Sequence, residues 1–169
     1  ERRAKILIIK LLKSLKLLIH LKLTGQLVYL DKHKRVFGGH PTPDWVAELP
    51  SKHTRVIIDF TDSSRLFFND LRVFGWFKVV EGLEGLEKEI KGFKGIEPLT
   101  RAFTLENFAK QLQRTSRPIK LTLMDQGLIA GVGNIYCNDA LWDAKISPKK
   151  PAKKLSNSEI QKLKESIEK

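Results

Sequence analysis

Apolar and polar residues alternate from Leu15 to Leu23, with Leu15, Leu17, Ile19, Leu21 and Leu23 on one side and Lys16, His20 and Lys22 among those on the other. A period of two is that of a half-buried strand, so the spacing predicts one here. Gly25 precedes another short run, Gln26 to Leu30. Further on, Val56, Ile58 and Phe60 alternate with Arg55 and Asp59, Thr61-Asp62-Ser63-Ser64 reads as a turn, and Leu66 and Phe68 resume the alternation. This pattern predicts a β-hairpin. Trp76 to Val80 adds a strand, residues 38–51 read as a loop rich in Gly and Pro, and residues 82–95 read as a Gly-rich connector. The first ninety or so residues are thus antiparallel β, sandwich or barrel-like. Beyond the connector the period changes. Leu105, Phe108, Ala109 and Leu112 have helical spacing behind Thr104, a candidate N-cap, and a second helix starts after Pro118. Ser147-Pro148 breaks the chain, and Ser156 with Glu159 forms a capping box ahead of Ile160, Leu163 and Ile167. The C-terminal part is all-helical.

Charge narrows what such a chain can face. With 31 Lys and Arg against 19 Asp and Glu, the formal net charge is +12. Residues 1–35 hold 10 basic and 2 acidic groups, Lys110, Arg114, Arg117 and Lys120 follow one another without an acid, and residues 145–154 hold five lysines. Clustered cations beside the acidic connector are a footprint for phosphates, with a membrane surface as the competing partner. The membrane reading loses: the apolar residues of positions 6–23 surround a helical axis instead of forming one stripe, and lysines interrupt every long apolar run. A hydrophobic fraction of 41% in 169 residues supports one core or two small ones and excludes disorder throughout. Cys137 is the lone cysteine, so no internal disulfide or cysteine-rich structural zinc site can form within the chain. The expectation is a soluble intracellular protein. Opening with Glu1 inside a basic run, the chain also reads as a piece cut from a longer protein.

The segment Asp125-Gln126-Gly127-Leu128-Ile129-Ala130-Gly131-Val132-Gly133-Asn134-Ile135-Tyr136 runs between two predicted helices. Gly131 and Gly133 permit tight backbone turns, and a helix starting near Asn134 points free amides and its positive dipole end outward, an arrangement that can hold a phosphate. With Ile119-Lys120 before it and Ala144, Ile146 and Pro148 after it, this string resembles the helix-two-turn-helix domain of bacterial formamidopyrimidine-DNA glycosylases. The β half is similar to the same family in Arg2-Arg3-Ala4-Lys5, in His20-Leu21-Lys22-Leu23-Thr24-Gly25 and in Asp70-Leu71-Arg72-Val73-Phe74-Gly75; Gly95-Ile96-Glu97-Pro98-Leu99 resembles its interdomain linker. The related endonuclease VIII group shares the helical domain, but the Arg-x-Phe-Gly segment favours the formamidopyrimidine branch.

The resemblance implies an α+β chain, a partial antiparallel β-sandwich over residues 1–98 followed by a helix-two-turn-helix DNA-binding domain over 99–169. It implies base-excision repair: removal of oxidised purines such as 8-oxoguanine and formamidopyrimidines, then nicking of the abasic site, acting on double-stranded DNA as a monomer in the bacterial cytoplasm with the nucleoid. By matched position, Leu23, Arg72 and Phe74 fill the void left by the extruded nucleotide, Arg72 addressing the orphaned cytosine and Phe74 wedging the stack. Leu23 stands where methionine is usual. Lys5 matches a lysine of phosphate contact and β-elimination chemistry; His53, Arg114, Arg117, Lys120, Gly133, Asn134 and Tyr136 fall at DNA-contacting positions; Arg55 replaces a second histidine. Family members begin with Pro-Glu, the catalytic amine and acid, and end in a four-cysteine ribbon holding one zinc. Neither has a match here, so the reading is an internal piece with no cofactor of its own, expected to bind DNA but not to excise bases. A non-catalytic helix-two-turn-helix nucleic-acid-binding protein is the alternative.

Overall fold

The computed structural model describes residues 1–41 and 47–169. They divide into two compact units, Glu1–Gly82 and Leu83–Lys169. The sequence places the division at Pro98. The difference is segment 83–98, which folds with the helices.

The first unit contains two four-stranded antiparallel sheets. One has the order β1 (Arg2–Arg3), β2 (Ile6–Lys10), β3 (Leu15–His20), β8 (Trp76–Glu81); the other runs β5 (Arg35–Gly39), β4 (Gly25–Leu30), β7 (Arg65–Asp70), β6 (Thr54–Asp59). Ile6, Ile8, Leu18, Ile19, Val28, Phe67 and Phe68 are buried, and the Phe68 and Phe77 rings meet at 4.8 Å across the sheets. Each such burial contributes about 1.5–3 kcal/mol. The predicted hairpin is β6–β7, closed by Phe60–Ser64.

Three local expectations change. Strand β3 ends at His20, so Leu21 and Leu23 leave its apolar side and enter a turn in which Lys22 has φ +53°. His20, expected on the polar side, is only 5% exposed, because β3 lies between β2 and β8 and both its faces are covered at that end. Gly38 and Gly39 of the expected 38–51 loop belong to β5, and residues 42–46 of that loop lie outside the described residues. The connector is largely helical: α1 spans Gly82–Ile90, with Leu83, Leu86 and Ile90 at helical spacing, Glu84 in its first turn and Lys88 in its last, as the helix dipole favours.

The second unit packs α2 (Leu105–Gln113), α3 (Ile119–Leu123), α4 (Asn134–Asp143) and α5 (Asn157–Glu168) around Phe103, Phe108, Leu112, Ile119, Leu123, Ile129, Cys137, Leu141, Ile160 and Leu163. Thr104 caps α2 by accepting from the Asn107 amide, and Ser156 and Glu159 form the capping box of α5. The linker-like segment is built into this unit. The amides of Gly95 and Ile96 donate to the Gln126 and Leu128 carbonyls at 3.0 Å each, and a Cβ at Gly95 would lie 2.5 Å from the Leu128 carbonyl carbon.

Candidate nucleic-acid interface

In the β unit the expected contact residues gather at neighbouring turns. Lys5 occupies the turn between β1 and β2, beside the strand pair Ile6–His20 that leads into the 21–24 turn. It is exposed, yet partial burial of its amine, and then the Lys22 charge, lower its pKa below the usual lysine value. His20 is driven down to about 4 by burial first and then by Lys22 and Lys5, so it is neutral at pH 7. Its Nδ1 accepts from the Lys22 amide at 3.0 Å and fixes the turn that presents Leu23, 59% exposed.

The second element is the 71–75 loop. Phe74 is 50% exposed, and the Arg72 guanidinium carbon lies 4.7 Å from its ring centre. Both ends of the loop are held by Asp70, itself 1% exposed. Its Oδ2 accepts from the Gly75 amide at 2.7 Å, its Oδ1 from the Arg72 amide at 3.2 Å, and the Thr24 hydroxyl donates to the same Oδ1. Burial pushes the Asp70 carboxyl up, but these donors, with the Phe74 amide, outweigh it and hold the pKa below the usual aspartate value. His53 joins through its backbone, its carbonyl accepting from the Asp70 amide at 2.9 Å, and Arg55 Nε donates to the Asp70 carbonyl at 3.0 Å. The structure thus brings Leu23, His53, Arg72 and Phe74 together, with Leu71 and Val73 as further exposed apolar residues beside them.

In the helical unit the turn from Met124 to Gly133 is stapled by Gln126. Its Oε1 accepts from the Gly131 amide at 2.8 Å, and its Nε2 donates to the carbonyls of Met124 and Val132 at 3.1 and 2.9 Å. Gly131 takes φ +99°, and Gly133 then caps α4 without a side chain, leaving the first-turn amides facing outward. Asn134 is exposed at this terminus and Tyr136 is 75% exposed. The Cys137 thiol lies 3.7 Å from the Lys120 carbonyl oxygen, which places Lys120 beside the first turn of α4; burial raises the thiol pKa and the Lys120 charge opposes that rise. Two expected cations have partners within the chain: Arg117 bonds Asp125 at 2.8 Å, and Arg114 donates to Gln111 Oε1 at 2.8 Å. Both pairs are exposed, so they are weak and exchangeable.

Sequence reasoning assigned no role to Asp70, Thr24 or Gln126. A carboxylate five residues ahead of Gly75 signals a loop staple; for Gln126 the chain offers no signal, since its partners are backbone groups brought close only by the turn. Among the described residues no group of three or more His, Cys, Asp or Glu is placed to hold a metal ion, and no helix is long and apolar enough to cross a membrane.

A two-sheet β unit with apolar residues on stapled turns, followed by a helix-two-turn-helix unit with a bare helix terminus, defines a class of two-part α+β proteins. Comparison with known proteins narrows the class to one family. The profile of the formamidopyrimidine-DNA glycosylase N-terminal domain matches residues 1–77, and that of the formamidopyrimidine-DNA glycosylase H2TH domain matches 94–169. The chain belongs to the formamidopyrimidine-DNA glycosylase family. It is 36% identical over 169 residues to the formamidopyrimidine-DNA glycosylase of Ligilactobacillus salivarius, covering 99% of this chain and 55% of that protein. To the Listeria monocytogenes (strain EGD-e) protein it is 39% identical over 164 residues, covering 96% and 54%. Among solved structures, the MutM (Fpg) protein of Thermus thermophilus superposes with a TM-score of 0.77 at 34% identity, covering 99% of this chain and 56% of that one. Lactococcus lactis Fpg in complex with DNA containing an abasic site gives 0.80 at 30% identity, with coverages of 99% and 56%. The chain spans about half the length of the curated relatives it matches.

Proposed function

We propose that this chain serves base-excision repair: it binds double-stranded DNA at oxidised purines and abasic sites, and the protein it represents removes the damaged base and nicks the abasic site. One observation carries the reading: Leu23 and Phe74, both half-exposed or more, stand on turns tied together by buried hydrogen bonds, with Arg72 stacked beside Phe74. Exposed apolar residues on rigid turns among cations match what a duplex-opening protein needs, a wedge to replace a lost stacking partner and donors for the base left behind. In this reading Arg72 offers its guanidinium to the orphaned base, and Lys120, Asn134 and the α4 amides grip phosphate. Arg114, Arg117, Gly133 and Tyr136 in the helical unit, and His53 in the β unit, are the further contacts in this reading. The lowered pKa of Lys5 enlarges its unprotonated fraction, which supports attack on an abasic-site aldehyde and subsequent β-elimination.

Fluorescence anisotropy with the full chain tests this. A duplex with an abasic analogue opposite cytosine is expected to bind about tenfold tighter than undamaged duplex, since less stacking must be broken. Equal affinity for the two duplexes, or a preference for double-stranded RNA, overturns the reading.

A further inference from the structure

We propose that Asp70 is a positioning residue that fastens the 21–24 turn and the 71–75 loop into one insertion element, so that Leu23, Arg72 and Phe74 enter the duplex as a unit. The inference rests on the void-filling reading above and names what makes it work. The two segments lie far apart in sequence, and each contains a non-glycine residue in the left-handed region, Lys22 at φ +53° and Val73 at φ +56°. Such backbone persists only where its surroundings over-determine it. Asp70 and Thr24 supply that determination. The Thr24 hydroxyl donates to Asp70 Oδ1 and accepts from the Arg72 amide at 3.1 Å, while the Asp70 carboxylate takes the Arg72 and Gly75 amides at the two ends of the other loop.

Asp70 is 1% exposed. A buried carboxylate is tolerated only when its lone pairs are filled, and here loop amides and one hydroxyl fill them. Its negative charge is thereby committed to holding the turns. From its main chain the same residue reaches the His53 carbonyl at 2.9 Å and receives Arg55 Nε at 3.0 Å, so the β6 end of the second sheet is tied to the element as well. Ordering both loops in advance removes that ordering cost from the moment of insertion.

The test uses the full chain and a duplex carrying a tetrahydrofuran abasic analogue opposite cytosine, with 2-aminopurine next to it to report unstacking. Asp70→Asn sets an amide donor against backbone donors, and Thr24→Val removes the hydroxyl link at nearly constant volume. Both are expected to lower the saturated fluorescence increase at least about twofold, since losing one buried hydrogen bond to a charged group lowers the equilibrium constant for insertion about tenfold or more. Binding of undamaged duplex should change by less than about twofold, since that term is phosphate contact. Thr24→Ser keeps the hydroxyl and should restore the signal. A role in folding alone would instead lower all binding and the urea midpoint together, and Thr24→Val carries the test if Asp70→Asn does not fold. Wild-type fluorescence in Asp70→Asn and Thr24→Val, with the signal lost in Phe74→Ala, overturns the positioning role. An unchanged signal in Phe74→Ala overturns the void-filling reading itself, and this inference with it.

Discussion

The two candidate contact regions are built on opposite plans. In the β unit, the candidate contacts are side chains standing on turns, and the turns are fixed by buried polar groups: the Asp70 carboxylate, the Thr24 hydroxyl and the neutral His20 imidazole. In the helical unit, the candidate contacts are chiefly backbone amides at the α4 terminus, and the turn before them is fixed by the Gln126 amide. The first plan demands particular side chains both at the tips and beneath them. The second tolerates change at the tip but not in the chain path, because main-chain donors come with any residue that follows it. The buried ionisable groups that fix a turn belong to the first plan, so the two regions should respond differently to substitution, acid and salt.

The largest expected effect is in the β unit's chain path. A Cβ on Gly25 would meet the Leu21 carbonyl oxygen at 2.3 Å, so Gly25→Ala must displace the turn. A loss of about 3 kcal/mol or more is expected in urea unfolding, with the α5 amides still protected in hydrogen exchange. Loss of protection in both units at once would contradict the separate plans.

Acid should act next. His20 has a pKa of about 4 in the folded chain against 6.5 unfolded, so between those values the unfolded chain binds the extra proton. Stability is complete above about pH 6.5 and falls as pH drops toward about 4, by at most about 3 kcal/mol. His20 lies in the β unit, so its amides should lose protection first. His20→Asn should flatten that pH dependence; equal acid sensitivity of both units would count against the assignment.

Gln126→Ala is the matching probe of the helical unit. It strips the staple from Gly131, Met124 and Val132, with an expected cost of about 2 kcal/mol by urea unfolding and no change in pH dependence.

The smallest effect is ionic. Lys120→Ala should weaken binding to every duplex alike and reduce the slope of log affinity against log salt by about one, whereas Asn134→Ala should weaken binding with the slope unchanged. An unaltered slope in Lys120→Ala would remove it from the phosphate grip.

Much of the fold is legible in the sequence. Period-two and period-3.6 patterns, Thr104, Ser156 with Glu159, and the 125–136 string locate the hairpin, the helices and the turn before α4, because each depends on contacts within a few residues. The exceptions have local causes. Glycines at 82, 85 and 92 masked the helical spacing of Leu83, Leu86 and Ile90, and alternation ran on past His20 because Leu21 and Leu23 keep the period while Lys22 bends the chain away.

The sequence by itself determined the passage from a β half to a helical half, the caps of α2 and α5 and the net charge of +12. Tertiary structure alone decided that Arg117 and Arg114 have partners within the chain, that His20 is buried and neutral, and that Thr24 meets Asp70 across 46 residues. The physical reason is that propensity and periodicity act locally, while desolvation and hydrogen-bond completion depend on what the folded chain brings within about 3 Å.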